Sequence, residues 1–117
     1  MNKLLYLAGP YSNDPVGNYA LHQEFAAELL LRNFLVVSPI IQCHELAGRY
    51  GMPVDYIFWR QYNHALIDKS DGLVVMKVPG WQDSAGTQGE IGYAETHQIP
   101  WYLTALTDIP RLSNNMF

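Results

Sequence analysis

Cysteine is nearly missing from this chain of 117 residues: Cys43 stands alone, so no internal disulfide can form. Neither Cys43 nor the four histidines fall at a metal-ligand spacing, so no metal and no organic cofactor is expected. Cations are scarce as well. Seven Lys and Arg are scattered along a chain of net charge −4, and without a basic stripe a nucleic-acid partner is excluded. A free nucleotide stays possible, because a helix N-terminus can bind one phosphate without a basic patch. No long hydrophobic run occurs either. The first apolar stretch is broken by Gly9-Pro10, too short for a membrane span and without the cleavage pattern of a signal peptide. These absences predict an intracellular, cytoplasmic protein with no membrane partner.

The residues that are present suffice for one domain over 1–117, with 104–117 as a C-terminal tail whose order is expected to fail from Arg111 to Phe117. With 49% hydrophobic and only 15% charged residues the composition is apolar for a soluble protein, and 13% aromatics point to a stacking pocket or a buried dimer interface.

Apolar runs and helical spacings alternate along the chain. Lys3 to Ala8 reads as a buried strand, and Asp14-Pro15 as an N-cap with proline at the first helical position. Leu21, Phe25 and Leu29 then recur at four-residue spacing, up to Asn33 as a left-handed cap. Phe34 to Ser38 predicts a second strand, Pro39 to Pro53 a long excursion with one helical turn at His44 to Gly48, and Asp55 to Lys69 a second helix. Asp71 to Met76 is the next strand, Asp71 capping or bonding backbone at its start. A loop over Val78 to Gly86, a helix over Thr87 to His97 and a strand over Pro100 to Leu103 complete the order. Such alternation implies an α/β fold, a parallel sheet covered on both faces. Ligands of such sheets bind beyond the carboxyl ends of the strands, so the loops Gly9 to Val16 and Val78 to Gly86 should face each other across one cleft.

Ser84-Ala-Gly-Thr-Gln-Gly-Glu90-Ile-Gly-Tyr-Ala94 is the most informative segment. Gly89 and Gly92 each cost a helix roughly 1 kcal/mol relative to alanine, so a ligand or a neighbouring strand is expected close to the backbone. Glu90 admits two readings. Thr87-Gln-Gly-Glu90 matches a capping box, in which the carboxylate folds back on the helix start; alternatively, Glu90 faces the cleft and reaches a sugar carbon while Ser84, Thr87 and nearby N–H groups hold the substrate, with Gly86 leaving room. Tyr6-Leu-Ala-Gly9-Pro10-Tyr11-Ser12 either cradles an anion or sugar or is a strand ending in a tight turn. Asn63 interrupts an apolar helical face between Trp59 and Ile67, as a buried amide bonded to a loop carbonyl or as a ligand contact. Trp81 is a stacking platform or an interface anchor. The four histidines read as ordinary surface or core-edge residues, His44 least securely because its loop opens on the ligand edge.

The first-strand motif, the Ser38-Pro39 strand end, Asp71-Gly-Leu-Val-Val75 and the Ser84 to Ala94 segment, in this order, resemble the nucleoside 2-deoxyribosyltransferase-like superfamily. Phe58-Trp59 and Pro79-Gly-Trp81 look like the uncharacterised family called domain of unknown function 1937, over roughly residues 4 to 103. The resemblance implies a Rossmann-like, flavodoxin-type three-layer sandwich with a four- to five-stranded parallel sheet, commonly in a homodimer or higher homo-oligomer. It makes Glu90 the nucleophile at the anomeric carbon and places Tyr6 beside it. Ser84, where the transferases carry an aspartate, fits the Ser-x-Gly-x-x-x-Glu form of the related nucleotide N-hydrolases, in which the serine binds the 5′-phosphate. Gly9 and Ser12 would lie along that phosphate, and Tyr11 or Trp81 could stack on the base. Asn63 departs from the pattern: it replaces an aspartate that contacts the nucleoside, and an amide cannot move a proton. Asp83 is a candidate substitute. The expected function is therefore cleavage or transfer of the N-glycosidic bond of a nucleotide or nucleoside, the alternatives being non-catalytic nucleotide binding and a structural domain using Trp59, Trp81 and Trp101 as interface residues.

Overall fold

Side-chain alternation along the first strand sets the two faces of the molecule. In the computed structural model, which describes residues 2–117, β1 (Leu4–Ala8) sends Leu5 and Leu7 to one hydrophobic cluster and Tyr6 and Ala8 to another. The chain continues through α1 (Pro15–Leu31), β2 (Leu35–Val37), α2 (Pro39–Tyr50), α3 (Tyr56–Asp68), β3 (Gly72–Met76), α4 (Ala85–Thr96) and β4 (Trp101–Thr104), then two 3₁₀ turns at Leu106–Arg111 and Asn114–Met116. All strand pairs are parallel, in the order β2-β1-β3-β4. The result is the expected α/β fold, consistent with a Rossmann-like three-layer sandwich.

Phe25, Ala26 and Leu29 of α1 pack on Leu5, Leu7, Val74 and Met76. Ile67 of α3 and Ile91 and Ala94 of α4 cover the other face against Tyr6, Ala8, Leu73 and Val75. β1 and β3 pair side by side in the sheet, with Leu5 opposite Gly72 and Ala8 opposite Val75. One connection from this pair leads to β2 and the other to β4, so the loops that follow the two strands diverge there and leave a crevice between them. Asp71 bonds the backbone as expected: its Oδ2 accepts from Leu4 N at 2.7 Å and ties the start of β3 to β1.

Three expectations are corrected. The stretch 39–53 is mostly helix, because Ser38 caps α2 by accepting from Ile41 N, Pro39 stands at the first helical position and Gly51 closes the end at φ 64°. Pro39, Cys43 and Ala47, spaced by four, are its buried stripe. The 104–117 segment is an ordered layer: Ile109 is fully buried in the first cluster, Phe117 packs against it, and Tyr102 Oη donates to Met116 O at 3.1 Å. α4 begins at a Ser84 cap, one residue ahead of Ala85 and three ahead of the expected Thr87. Asn33 does adopt the left-handed conformation foreseen for it, at φ 68°.

The docking of Phe117 depends on a missing side chain, since a Cβ at Gly72 would collide with its ring. Gly72→Ala is therefore expected to destabilise the fold by roughly 1–3 kcal/mol, the usual cost of overpacking. Chemical denaturation of Gly72→Ala, Phe117→Ala and the double variant reads this directly. The double variant should be less destabilised than the sum of the singles, and strict additivity would sink the account.

Candidate functional site

Glu90 sits on the second turn of α4, which directs it inward toward β1. Its Oε2 accepts from Tyr6 Oη at 2.7 Å and from Asn63 Nδ2 at 3.0 Å. β1, α3 and α4 each contribute one member of this buried triad. Glu90 is 5% exposed, yet it lines the large cavity at the ends of β1 and β3, and among the described residues its Oε1 accepts no hydrogen bond. Burial pushes its carboxyl up to about 7, partly offset by the bonds from Tyr6 and Asn63. Tyr6 itself is held well above its usual range by burial and by the neighbouring carboxylate.

The capping-box reading of Glu90 is overturned by this geometry. The cap is Ser84, whose Oγ accepts from Thr87 N at 3.2 Å and Thr87 Oγ1 at 2.9 Å. A carboxylate six residues beyond the cap lies too far along the helix to fold back on it. Asn63 is buried as foreseen, but its partner is the Glu90 carboxylate rather than a loop carbonyl.

A neighbouring aromatic ring, not a strand, lies against two of the glycines of α4. A Cβ at Gly89 would come within 2.9 Å of the Tyr56 ring and hydroxyl, and one at Gly86 within 3.1 Å of the same ring. Tyr56, the first residue of α3, thus lies in a notch on α4. Its hydroxyl pairs with His64 Nε2 at 2.7 Å, and His64 stacks on Tyr93 at 3.9 Å between centroids. Burial and Glu90 raise the Tyr56 phenol to about 12. No Cβ contact is found at Gly92.

The cavity measures about 580 Å³, room for a nucleoside-sized molecule. As expected, the loops after β1 and β3 face each other across it: Gly9, Tyr11, Ser12 and Asn13 on one side, Gly80, Asp83, Ser84 and Gly86 on the other. Its apolar end comes from the unexpected helix α2 and the turn after it, through Pro39, Ile40, Cys43, Ala47 and Val54, with Ile57 from the start of α3. His44, also from α2, pairs with Tyr11 Oη at 2.6 Å and stacks on Tyr19 at 4.1 Å.

Several residues singled out from the sequence stand off the wall. Trp81 is half-buried against the second hydrophobic cluster and lines a smaller depression with Lys77 and Gln82, so it does not reach the main cavity. Pro10 and Thr87 are buried supports. Asn63 acts through Glu90 from behind. Gly9 reaches the cavity and also carries a packing role, since a Cβ there would meet Met76 Sδ at 2.8 Å and His22 Nε2 at 3.2 Å. His22 is a core residue, contrary to expectation; its Nε2 bonds Pro10 O at 3.2 Å, and burial lowers its pKa to about 4. Sequence periodicity gave no signal for Tyr56, whose role depends on a partner helix.

Among the described residues no helix is long and apolar enough to cross a membrane. No curated protein matches the chain. The family model described as a domain of unknown function (DUF1937) matches residues 3–105, and the chain belongs to that family.

Proposed function

We propose that the protein cleaves or transfers the N-glycosidic bond of a nucleoside or nucleotide, with Glu90 as the nucleophile at C1′. The observation that carries this reading is a buried carboxylate on a cavity wall with one oxygen tethered by Tyr6 and Asn63 and the other unbonded. The tether fixes the carboxylate's orientation, and the free oxygen is the attacking atom. Likeness of the Tyr6 to Ser12 and Ser84 to Ala94 motifs to the nucleoside 2-deoxyribosyltransferase-like superfamily supports the same assignment. The C1′–N bond breaks through an oxocarbenium-like transition state, and the base leaves with the bonding electrons and takes a proton. Water, or the nitrogen of a second base, then displaces Glu90 from C1′ and restores the carboxylate. Asn63 cannot supply the proton, whereas the Tyr11–His44 pair faces the same cavity.

Purified protein is incubated with a panel of nucleosides and 5′-monophosphates, and free base is followed by chromatography. Base release establishes the reading; tight binding without release favours a non-catalytic binding protein, the alternative that Asn63 supports. The exposed Ile57, Phe58 and Tyr50 on and between α2 and α3, beside the cavity, fit a homo-oligomer.

Because the bond from Tyr6 lowers the Glu90 pKa, Tyr6→Phe should raise it further. A carboxylate nucleophile makes the rate climb with pH through about 7, so the variant's pH–rate limb is expected at higher pH. A limb at the wild-type position would remove Tyr6 from control of Glu90.

A further inference from the structure

The cavity wall has a one-sided charge. Among the described residues it carries Asp55, Asp83 and Glu90, and no lysine or arginine. These carboxylates differ in availability. Asp55 Oδ1 accepts from Phe58 N at 3.0 Å as the cap of α3, and Glu90 Oε2 is held by Tyr6 and Asn63. Asp83 is exposed, and its carboxylate takes no hydrogen bond among the described residues. It also directly precedes Ser84, the cap of α4, so the positive end of that helix already has a carboxylate beside it.

A phosphate dianion entering here meets hydroxyls, a few backbone N–H groups and an adjacent like charge, with no lysine or arginine to replace its hydration and with the one imidazole on the wall, His44, already paired to Tyr11 Oη at 2.6 Å. A sugar hydroxyl meets the opposite situation, since an unbonded carboxylate is a strong acceptor for it. We propose that the site selects an uncharged N-glycoside, a nucleoside whose sugar hydroxyl donates to Asp83, and discriminates against its 5′-phosphorylated form. This inference rests on the reading of the site as an N-glycoside site and names the substrate class within it. Asp83 is the specificity-determining residue.

Calorimetric titration of the wild-type chain with adenosine, 2′-deoxyadenosine, thymidine and their 5′-monophosphates tests it, repeated on Glu90→Gln so that turnover does not contribute to the heat. At least one nucleoside is expected to bind about tenfold or more tightly than its monophosphate. Asp83→Asn should narrow that ratio and Asp83→Lys should reverse it, with melting temperatures verifying that both variants fold. A monophosphate that binds wild type as tightly as its nucleoside overturns the selection and leaves the N-glycoside reading standing. A ratio unmoved in both Asp83 variants overturns the role of Asp83. Absence of binding by every member of the panel overturns the N-glycoside reading itself, and this inference with it.

Discussion

Glu90→Gln is expected to lower base release by about 10³-fold or more, the scale on which loss of a nucleophile is felt. The amide keeps the shape of the side chain, and its carbonyl oxygen can still accept from Tyr6 and Asn63, which hold Oε2 at 2.7 and 3.0 Å. Fold and cavity should therefore persist, so a nucleoside should bind the variant with little change while the C1′–N bond stays intact. Single-turnover chromatography of base release, with calorimetry on the same preparation, separates chemistry from binding. Release at the wild-type rate would remove Glu90 from the mechanism. Loss of binding together with release would assign the residue to the architecture of the pocket.

The second large effect is on stability, and its sign follows from burial. The carboxyl of Glu90 titrates near 7 in the folded chain against an ordinary value of 4.5. The folded state therefore favours the protonated form, and stability present below about pH 4.5 is lost as pH rises through about 7. A shift of that size corresponds to something on the order of 3 kcal/mol. His22 works in the opposite direction: its pKa falls from 6.5 to about 4, so it contributes stability above 6.5 that is lost as pH drops toward 4. Between about 4.5 and 6.5 the two nearly cancel, and the wild-type melting curve alone says little. The difference between Glu90→Gln and wild type isolates the carboxylate. That gap should widen by on the order of 3 kcal/mol, or about 10 °C in melting temperature, between pH 4.5 and 8. A gap that stays constant with pH would show that Glu90 titrates normally. A variant that gains stability at neutral pH while losing chemistry is the pattern expected where an ionised group is buried for function.

Much of this architecture is legible in the sequence, because β1, α1, β3 and α4 announce themselves locally. Their apolar runs, the Asp14-Pro15 start and the Asn33 stop are signals carried by neighbouring residues. α2 was equally well marked by Ser38-Pro39 and by the spacing of Pro39, Cys43 and Ala47, but Ser38-Pro39 also reads as a strand end, and the helical expectation was confined to one turn at His44 to Gly48. Glu90 stood out as a candidate, whereas its partners depend on the register between three elements. A capping box written as Thr87-x-x-Glu90 could be rejected only once Ser84 was seen to occupy the cap. Trp81 and Tyr56 show the limit most clearly. A loop tryptophan suggests a stacking platform yet packs against the core, and an unremarked tyrosine at a helix start forms the wall beside the carboxylate.

Tyr56 and Asn63 lie seven residues apart on one face of α3, one seated in the Gly86–Gly89 notch and the other bonded to Glu90. Residues 56, 86 and 89 are thereby bound into a single unit of inheritance. A side chain gained at Gly89 has to be answered by a shift of the ring at 56 or a smaller residue there, and one at Gly86 presses on the same ring, on the helix that also carries Asn63. Within the family these three positions should vary together or not at all, so an alignment of relatives can date the origin of the site from residues that touch no reacting atom.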